Sequence, residues 1–402
     1  MKYRLLDFLV CPDCGEEVKA TIFKEERIAY NGNMSVHKCH HTCALQDSGD
    51  KNGDCASCYC REVKAGMLVC PRGHIFPIVD HIPRMLPDAF CGLENFIHEY
   101  EDLLPLKRIR TVIDSKETRT FSSVQKNTQK SFGYQWLRYD VQDDREDREI
   151  FLSDSQLSEA ELRGKVILDA GCGMGRYTRI AGYMGREIIG IDLSKSILKA
   201  YQKTHDNPTV HIVQGDLLHL PFKKKQFDII YSLGVLHHTP GPPQAFSNLV
   251  QCLKKGGIIS IWVYGTAGNF RDFMTNPLRD GRRNFLTSNT TKRIHWILVS
   301  VREFLSNTVR LVTTRMYLPL LYLFCYPLAA LGKVPLLKYI TASVHRKWRV
   351  RLQENFDWFS PQYQSHHTKE EVLGWFNKVK LDDITMLQHG FIPKVGLRGK
   401  LQ

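Results

Sequence analysis

Apolar and polar positions divide the 402-residue chain into stretches of different period. From Lys165 onward, short and nearly unbroken apolar runs, "KVILDA", "EIIGID", "VHIVQGD", "FDIIYSLG" and "GIISIWVYG", alternate with amphipathic segments such as Ser194 to Thr204. Apolar runs of that length read as strands buried on both faces, and their alternation with helix-period segments predicts βαβ units around a parallel sheet. The alternation stops after Gly265. A long basic and aromatic stretch follows to about Arg351; then "TKEEVLGWFNKV" reads as a helix, and "LDDITML" with "FIPKVGLRG" as a hairpin able to close the sheet. A connection that long predicts a cap or lid with its own fold. Ahead of the alternation, Phe90 to about Ser158 is polar and predicted helical, with aromatics in "SFGYQWLRY". The first ninety residues carry short β-like runs among cysteines, histidines and prolines. The expected organisation is a small domain over 1–88, a helical linker or cap over 89–158, an α/β core over 159–270, an insertion over 271–350 and the end of the core over 351–402. No internal repeat or low-complexity tract interrupts it.

A hydrophobic content of 43% with 24% charged residues excludes disordered and fibrous classes. The net charge of +13 is concentrated: residues 271–350 hold fourteen Lys/Arg against three acids, a net of +11. A basic segment of this kind suits an acidic partner such as phosphate, nucleic acid or anionic lipid. The opening "MKYRLLDFLVCPDCG" breaks its apolar stretch with Asp7 and continues into a cysteine pair, so it does not read as a signal peptide. The expected compartment is a reducing cytoplasm, where twelve cysteines are metal ligands or buried thiols rather than disulfides.

In "ILDAGCGMGRYTR", Asp169, Gly171, Gly173 and Gly175 spell D-x-G-x-G-x-G where a strand should turn into a helix. A dinucleotide fingerprint would need a third glycine at the position of Arg176, so the loop suits a ligand without a pyrophosphate. Asp192 closes the second strand in "GIDLS", nineteen residues after Gly173, where a carboxylate can accept from both hydroxyls of a ribose. Asp216 follows the third strand, placed to accept from an adenine amine while Leu217 packs on the purine face. A nucleoside lying across the carboxyl edge of the sheet meets all three.

Together, "LDAGCGMG", "GIDLS", "GDLLHLPF", "FDIIYSLGVLHHTPGPPQAFSNLVQCLKKGGIISI" and the closing hairpin resemble the class I S-adenosylmethionine-dependent methyltransferases, over roughly Lys165 to Gly265 and again from about Asn355. The resemblance implies a Rossmann-like α/β sheet. It also implies a cofactor site built from Asp169, Gly171, Cys172, Gly173, Gly175, Asp192, Leu193, Asp216, Leu217, Ser232 and Gly234, with Ser232 to Leu236 running beneath the sulfonium. The methyl group is already activated on a cationic sulfur, so the protein mainly aligns the acceptor and excludes water. His237 and His238, at the end of the fourth strand, are the candidate bases; the competing reading packs them against the loop.

At the front, Cys11 and Cys14 form C-P-x-C, and Cys70 with His74 forms C-P-x-x-H. These are two knuckles that together supply four protein ligands for a closed tetrahedral zinc site. The text over about Leu5 to Pro87 resembles two related groups. One is the small zinc-ribbon family whose members activate methyltransferases; the other is the N-terminal ribbon of bacterial ribosomal RNA guanine methyltransferases. In the middle, Cys39, Cys43, Cys55, Cys58 and Cys60, with His37, His40 and His41 among them, depart from both. The first four of these cysteines hold a second zinc, leaving Cys60 spare, or are incidental thiols, or carry an iron–sulfur cluster.

Within the basic segment, Met316 to Gly332 carries no charge. It is short for a membrane span, and Pro319 and Pro327 are expected to break it. Apolar and aromatic residues flanked by cations describe either an element lying on an anionic membrane surface, placing the protein peripherally on the inner face of a membrane, or a buried lid. Asp357, Trp358, Tyr363 and His366 are candidates to face the acceptor, with a core role as the competing reading for the aromatics. The sequence expectation is a methyltransferase acting at oxygen, carbon or carboxylate of a small or lipid-linked molecule. RNA methylation is the alternative and a non-catalytic ribbon adaptor a further one. Nothing in the sequence sets the acceptor or the oligomeric state.

Overall fold

A computed structural model describes residues 1–28, 55–109, 121–139, 143–265, 308–334, 341, 343, 345–387 and 394–402. The five apolar runs form the strands they predict: β5 (Val166–Ala170), β6 (Glu187–Asp192), β7 (Val210–Gly215), β8 (Phe227–Leu233) and β9 (Leu253–Tyr264). Every residue of β5 is buried because its alternate side chains enter opposite cores. Ile167 joins a cluster with Phe151, Ile180 and Ile188, whereas Leu168 joins one with Phe246, Leu249 and Phe376.

The chain's front end supplies β1 (Lys19–Arg27), β2 (Arg61–Val69), β3 (Ile75–Val79) and β4 (Ile82–Met85). The expected hairpin supplies β10 (Leu381–Met386) and β11 (Lys394–Leu401). All belong to one 11-stranded sheet in the order β1-β2-β3-β4-β7-β6-β5-β8-β9-β11-β10. The strands from β4 through β7, β6, β5 and β8 to β9 pair in parallel, and β11 enters antiparallel to β9 and β10.

The sequence reading of 1–88 as a domain of its own does not anticipate this continuity. The join is β4 on β7, at Arg84↔Gln214 and Met85↔Gly215. Buried polar groups reinforce it. Arg4 Nε donates to Glu187 Oε1 at 3.0 Å, His211 Nε2 lies 3.0 Å from the same oxygen, and Lys2 Nζ donates to the carbonyls of Asn207 and Val210. A core edge that would otherwise expose unpaired strand groups is thereby covered.

The helices that bear on the site are α1 (Ser123–Arg138), α2 (Asp144–Ser155), α3 (Arg176–Met184), α4 (Ile197–Thr204), α5 (Pro242–Cys252), α6 (Leu318–Leu331), α7 (Trp348–Phe359) and α8 (Lys369–Lys378). The predicted α8 is opened by a capping box between Thr368 and Glu371. α4 starts at Ile197 rather than at Ser194 because Ser194 and Ser196 bond the Asp192 carboxylate instead.

In the insertion, Met316 to Gly332 is not broken at its prolines, contrary to expectation: α6 runs through both. Pro319 sits in the first turn, where its missing N–H is no loss, and Leu323, whose carbonyl Pro327 leaves without a helical partner, is 64% exposed and open to water. Leu321, Cys325 and Ala329 form a buried stripe against Leu352 and Phe356 of α7. Buried Arg351 of α7 donates through Nε to Ala329 O, an end carbonyl of α6. No helix among the described residues is long and apolar enough to cross a membrane. Of the second-metal candidates, Cys39, Cys43, His37, His40 and His41 lie outside the described residues, and Cys58 is buried.

Candidate functional site

Four strand ends meet at one cleft of about 260 Å³ on the carboxyl edge of the sheet. The turn from β5 into α3 forms its floor. Gly171 there has φ +92°, and a Cβ would lie 2.4 Å from Val235; at Gly175, with φ +79°, a Cβ would lie 2.8 Å from Ala200 of α4. The glycines therefore serve two ends, a backbone close to the cleft and a helix close to its neighbour. Asp192 lies across the turn: its Oδ2 accepts from Gly173 N–H at 3.0 Å, and its Oδ1 from Ser194 N–H and Oγ at 2.8 and 2.7 Å. Asp216 Oδ1 accepts from Leu218 N–H at 3.0 Å. Asp169 is buried beneath them and accepts from Thr178 Oγ1 at 2.6 Å; burial pushes its carboxyl up to about 7, and burial also raises that of Asp192.

Of the expected cofactor residues, Asp169, Gly171, Cys172, Gly173, Asp192, Leu193, Asp216, Leu217 and Gly234 line this cleft. Two do not. Gly175 is spent on packing α3 against α4, and Ser232 is buried in β8, its hydroxyl bonded to Ala170 O at 2.8 Å. The histidines also part company. His238 lines the cleft and has its Nδ1 2.8 Å from Tyr363 O, which leaves Nε2 as an acceptor. His237 stays behind it, its ring centre 3.9 Å from that of Tyr264 and tilted by 32°, with neither ring nitrogen bonded among the described residues. Burial pushes His238 down to about 3 and holds His237 well below the usual range, so both rings are neutral at physiological pH.

The sequence reading does not assign the roof. Thr128, Gln129, Phe132 and Trp136 of α1 cover the cleft, with Trp262 of β9 and Asp357 of α7 at one end. Gln129 Nε2 donates to Leu193 O at 2.8 Å, and Ser131 and Ser360 share a 2.8 Å hydroxyl contact that ties α1 to the end of α7. The aromatic run "SFGYQWLRY" was the one signal of this roof.

At the front end, Cys11, Cys14, Cys70 and His74 bring their ligand atoms within 4.8 Å of one another. Cys14 and Cys70 sulfurs are 3.7 Å apart, and His74 Nδ1 lies 3.3 Å from both Cys11 and Cys70 sulfurs. A tetrahedron with bonds of about 2.3 Å has edges of about 3.8 Å, so three thiolates and an imidazole fit one zinc ion.

A parallel sheet with one antiparallel strand let in beside β9, and a nucleoside-sized cleft at its carboxyl edge, define the class I methyltransferase fold. Residues 168–261 match the methyltransferase domain family and residues 2–80 match the Trm112p-like protein family. The chain thus carries a class I S-adenosylmethionine-dependent methyltransferase domain and a Trm112p-like domain. It is 40% identical over 102 residues to a tRNA U34 carboxymethyltransferase of Pseudomonas paraeruginosa, covering 24% of this chain and 31% of that protein. It is 32% identical over 105 residues to a phthiotriol/phenolphthiotriol dimycocerosates methyltransferase of Mycobacterium leprae, covering 25% and 38%. A solved S-adenosylmethionine-dependent methyltransferase from Mesorhizobium loti is 28% identical over 29% of this chain and 54% of its own, with a TM-score of 0.27. The chain spans about a third of the length of these curated relatives.

Proposed function

We propose that the chain transfers the methyl group of S-adenosylmethionine to a small or lipid-linked acceptor at an anionic membrane surface, with the cofactor held by Asp192, Asp216 and the Asp169 glycine loop. The observation that carries the chemistry is the convergence of these groups on one roofed cleft. Asp192 accepts the ribose hydroxyls, one on the lone pair left on Oδ2 and one on Oδ1 in place of the Ser196 hydroxyl, Asp216 accepts from the adenine amine, and Leu193 and Leu217 pack beside them. The roof from α1 excludes water, and alignment of the acceptor supplies the rest of the rate.

The ribbon holds a zinc ion on Cys11, Cys14, Cys70 and His74, which clamps the two knuckles on either side of β1 and β2. Purified protein should carry about one zinc per chain, and Cys11→Ser should lower that content and the unfolding midpoint together. Metal-free protein with native stability would remove zinc from the reading.

The lipid side rests on α6. Opposite its buried stripe it exposes Leu320, Leu323, Phe324 and Tyr326; Leu311 and Val312 just before it are 65% and 66% exposed, and Arg315 and Lys333 flank it. An apolar face with cations at its rim partitions into a charged membrane interface, each immersed leucine contributing about 1.5–3 kcal/mol. Full-length protein should co-sediment with phosphatidylserine-containing vesicles, and Leu320→Asp with Leu323→Asp should lower the bound fraction about tenfold or more. Wild type left in the supernatant with every lipid composition would end the membrane reading.

A second reading, tRNA methylation, is favoured by the 40% identity to the tRNA carboxymethyltransferase. Total tRNA titrated into the same protein separates the two. Binding with a steep salt dependence, and none to vesicles, would put RNA first.

A further inference from the structure

A second cavity, of about 210 Å³, abuts the cofactor cleft, and the two share the side chains of Arg176, Tyr177, Trp262 and Asp357. Four carboxylate–cation pairs close its wall: Asp147 with Arg176 at 2.6 Å, Asp143 and Glu146 with Lys347 at 2.9 and 2.5 Å, and Asp154 with Lys394 at 3.5 Å. Glu354 and Asp357 are left over. They project from α7 three residues apart, and neither forms an ion pair among the described residues. Asp357 is held by neutral donors alone: Gln135 Nε2 donates to its Oδ1 at 3.2 Å and Tyr264 Oη to its Oδ2 at 3.3 Å. A carboxylate oriented in this way, at the boundary between two cavities, retains lone pairs for a donor that is not part of the chain. The surplus negative charge around it disfavours a phosphate and favours hydroxyl groups.

We propose that the second cavity receives the methyl acceptor, that the acceptor is a hydroxyl of a phosphate-free, hydroxyl-rich head group, and that Asp357 accepts its proton. This rests on the methyltransferase reading above. The acceptor oxygen bonds to the methyl carbon as the sulfur–methyl bond breaks. That bond's electron pair stays on sulfur as the neutral thioether, and the hydroxyl proton passes to the Asp357 carboxylate and then to water. Burial pushes the Asp357 carboxyl up to about 6, with Tyr264, Gln135, Glu354 and Arg310 as the polar groups around it. It is therefore both ionised and appreciably basic near neutral pH, whereas His238, depressed to about 3, is a weak base. α7 also connects this cavity to the apolar surface, since its Leu352 and Phe356 pack on α6. A head group bound at Glu354 and Asp357 can thus belong to a molecule whose tail lies along α6.

The test titrates octyl glucoside, below its micellar concentration, and octyl phosphate into full-length protein saturated with S-adenosylhomocysteine. The glucoside should bind and the phosphate should not. Asp357→Asn, which keeps the side-chain shape, should weaken the glucoside about tenfold or more, with a smaller loss in Glu354→Gln. Affinity for S-adenosylhomocysteine should stay within about twofold in Glu354→Gln, and tritium transfer from labelled S-adenosylmethionine to the glucoside should fall with Asp357→Asn further than glucoside binding does. A preference for the phosphate, binding of neither probe, or an Asp357→Asn variant that binds and methylates as wild type does would each overturn the proposal. Failure of the wild type to bind S-adenosylhomocysteine would instead defeat the methyltransferase reading beneath it.

Discussion

Asp192→Ala should weaken S-adenosylhomocysteine binding by about a hundredfold to ten-thousandfold, because it removes two hydrogen bonds to a charged acceptor, each worth about 1.5–3 kcal/mol. Part of the loss will come from the turn itself. The same carboxylate accepts from Gly173 N–H and from Ser194, so the alanine variant frees the loop as well as the ribose. Asp192→Asn separates the two contributions: it keeps an acceptor oxygen for part of the loop and presents an amide to the ribose. Calorimetry on both variants, alongside circular dichroism of the unliganded proteins, reads the effect. Unchanged affinity in Asp192→Ala would sink the ribose assignment.

Glu187→Ala should be the most destabilising single change at the join between the Trm112p-like domain and the methyltransferase core. Glu187 of β6 and Arg4 are both buried, at 1% and 6% exposure, and removing Glu187 leaves Arg4 with Asp7 as its one remaining carboxylate and His211 Nε2 without its acceptor, at a cost of about 3–5 kcal/mol. Arg4→Met combined with Glu187→Leu and Asp7→Asn should recover much of that loss, since the three changes together remove the paired charges. Burial alone would raise the Glu187 carboxyl, but the His211 hydrogen bond and the Arg4 charge hold it below its usual range. A depressed carboxyl stabilises the fold fully above its unfolded pKa of about 4.3 and loses that contribution as pH falls through the folded value. Burial also depresses His211, whose neutral form is the folded one, so it weakens the fold as pH drops below the unfolded value of about 6.5. The gap in unfolding free energy between wild type and Glu187→Gln should therefore be widest near neutrality and shrink in acid. A gap independent of pH would show that the network is not ionised.

The strands of the core were legible because each is a local apolar run between turn residues, and the hairpin β10–β11 and the helix α8 were legible for the same reason. The glycine turn and the two acidic strand ends were legible because neighbouring strand ends open on one cleft, so its lining residues recur at short intervals along the chain. The cluster of Cys11, Cys14, Cys70 and His74 could be read from its spacing, since each knuckle is local. His237 and His238 were inseparable by sequence: adjacent residues differ only in which way the backbone turns, and the short 3-10 turn of Leu236–His238 sends one to the cleft and the other behind it. The prolines of α6 misled because the first-turn position of one and the solvent exposure beside the other depend on how the helix packs.

Local order along the chain thus determined the core strands, the glycine turn and the cysteine knuckles by itself, through periodicity and short spacings. Tertiary structure alone decided three things: that β4 extends the core sheet through β7, that α1 roofs the cleft, and that Asp357 of α7 reaches the wall between two cavities. Each is a contact between segments distant in sequence, and such contacts form only where separately folded elements cover one another's exposed edges and faces.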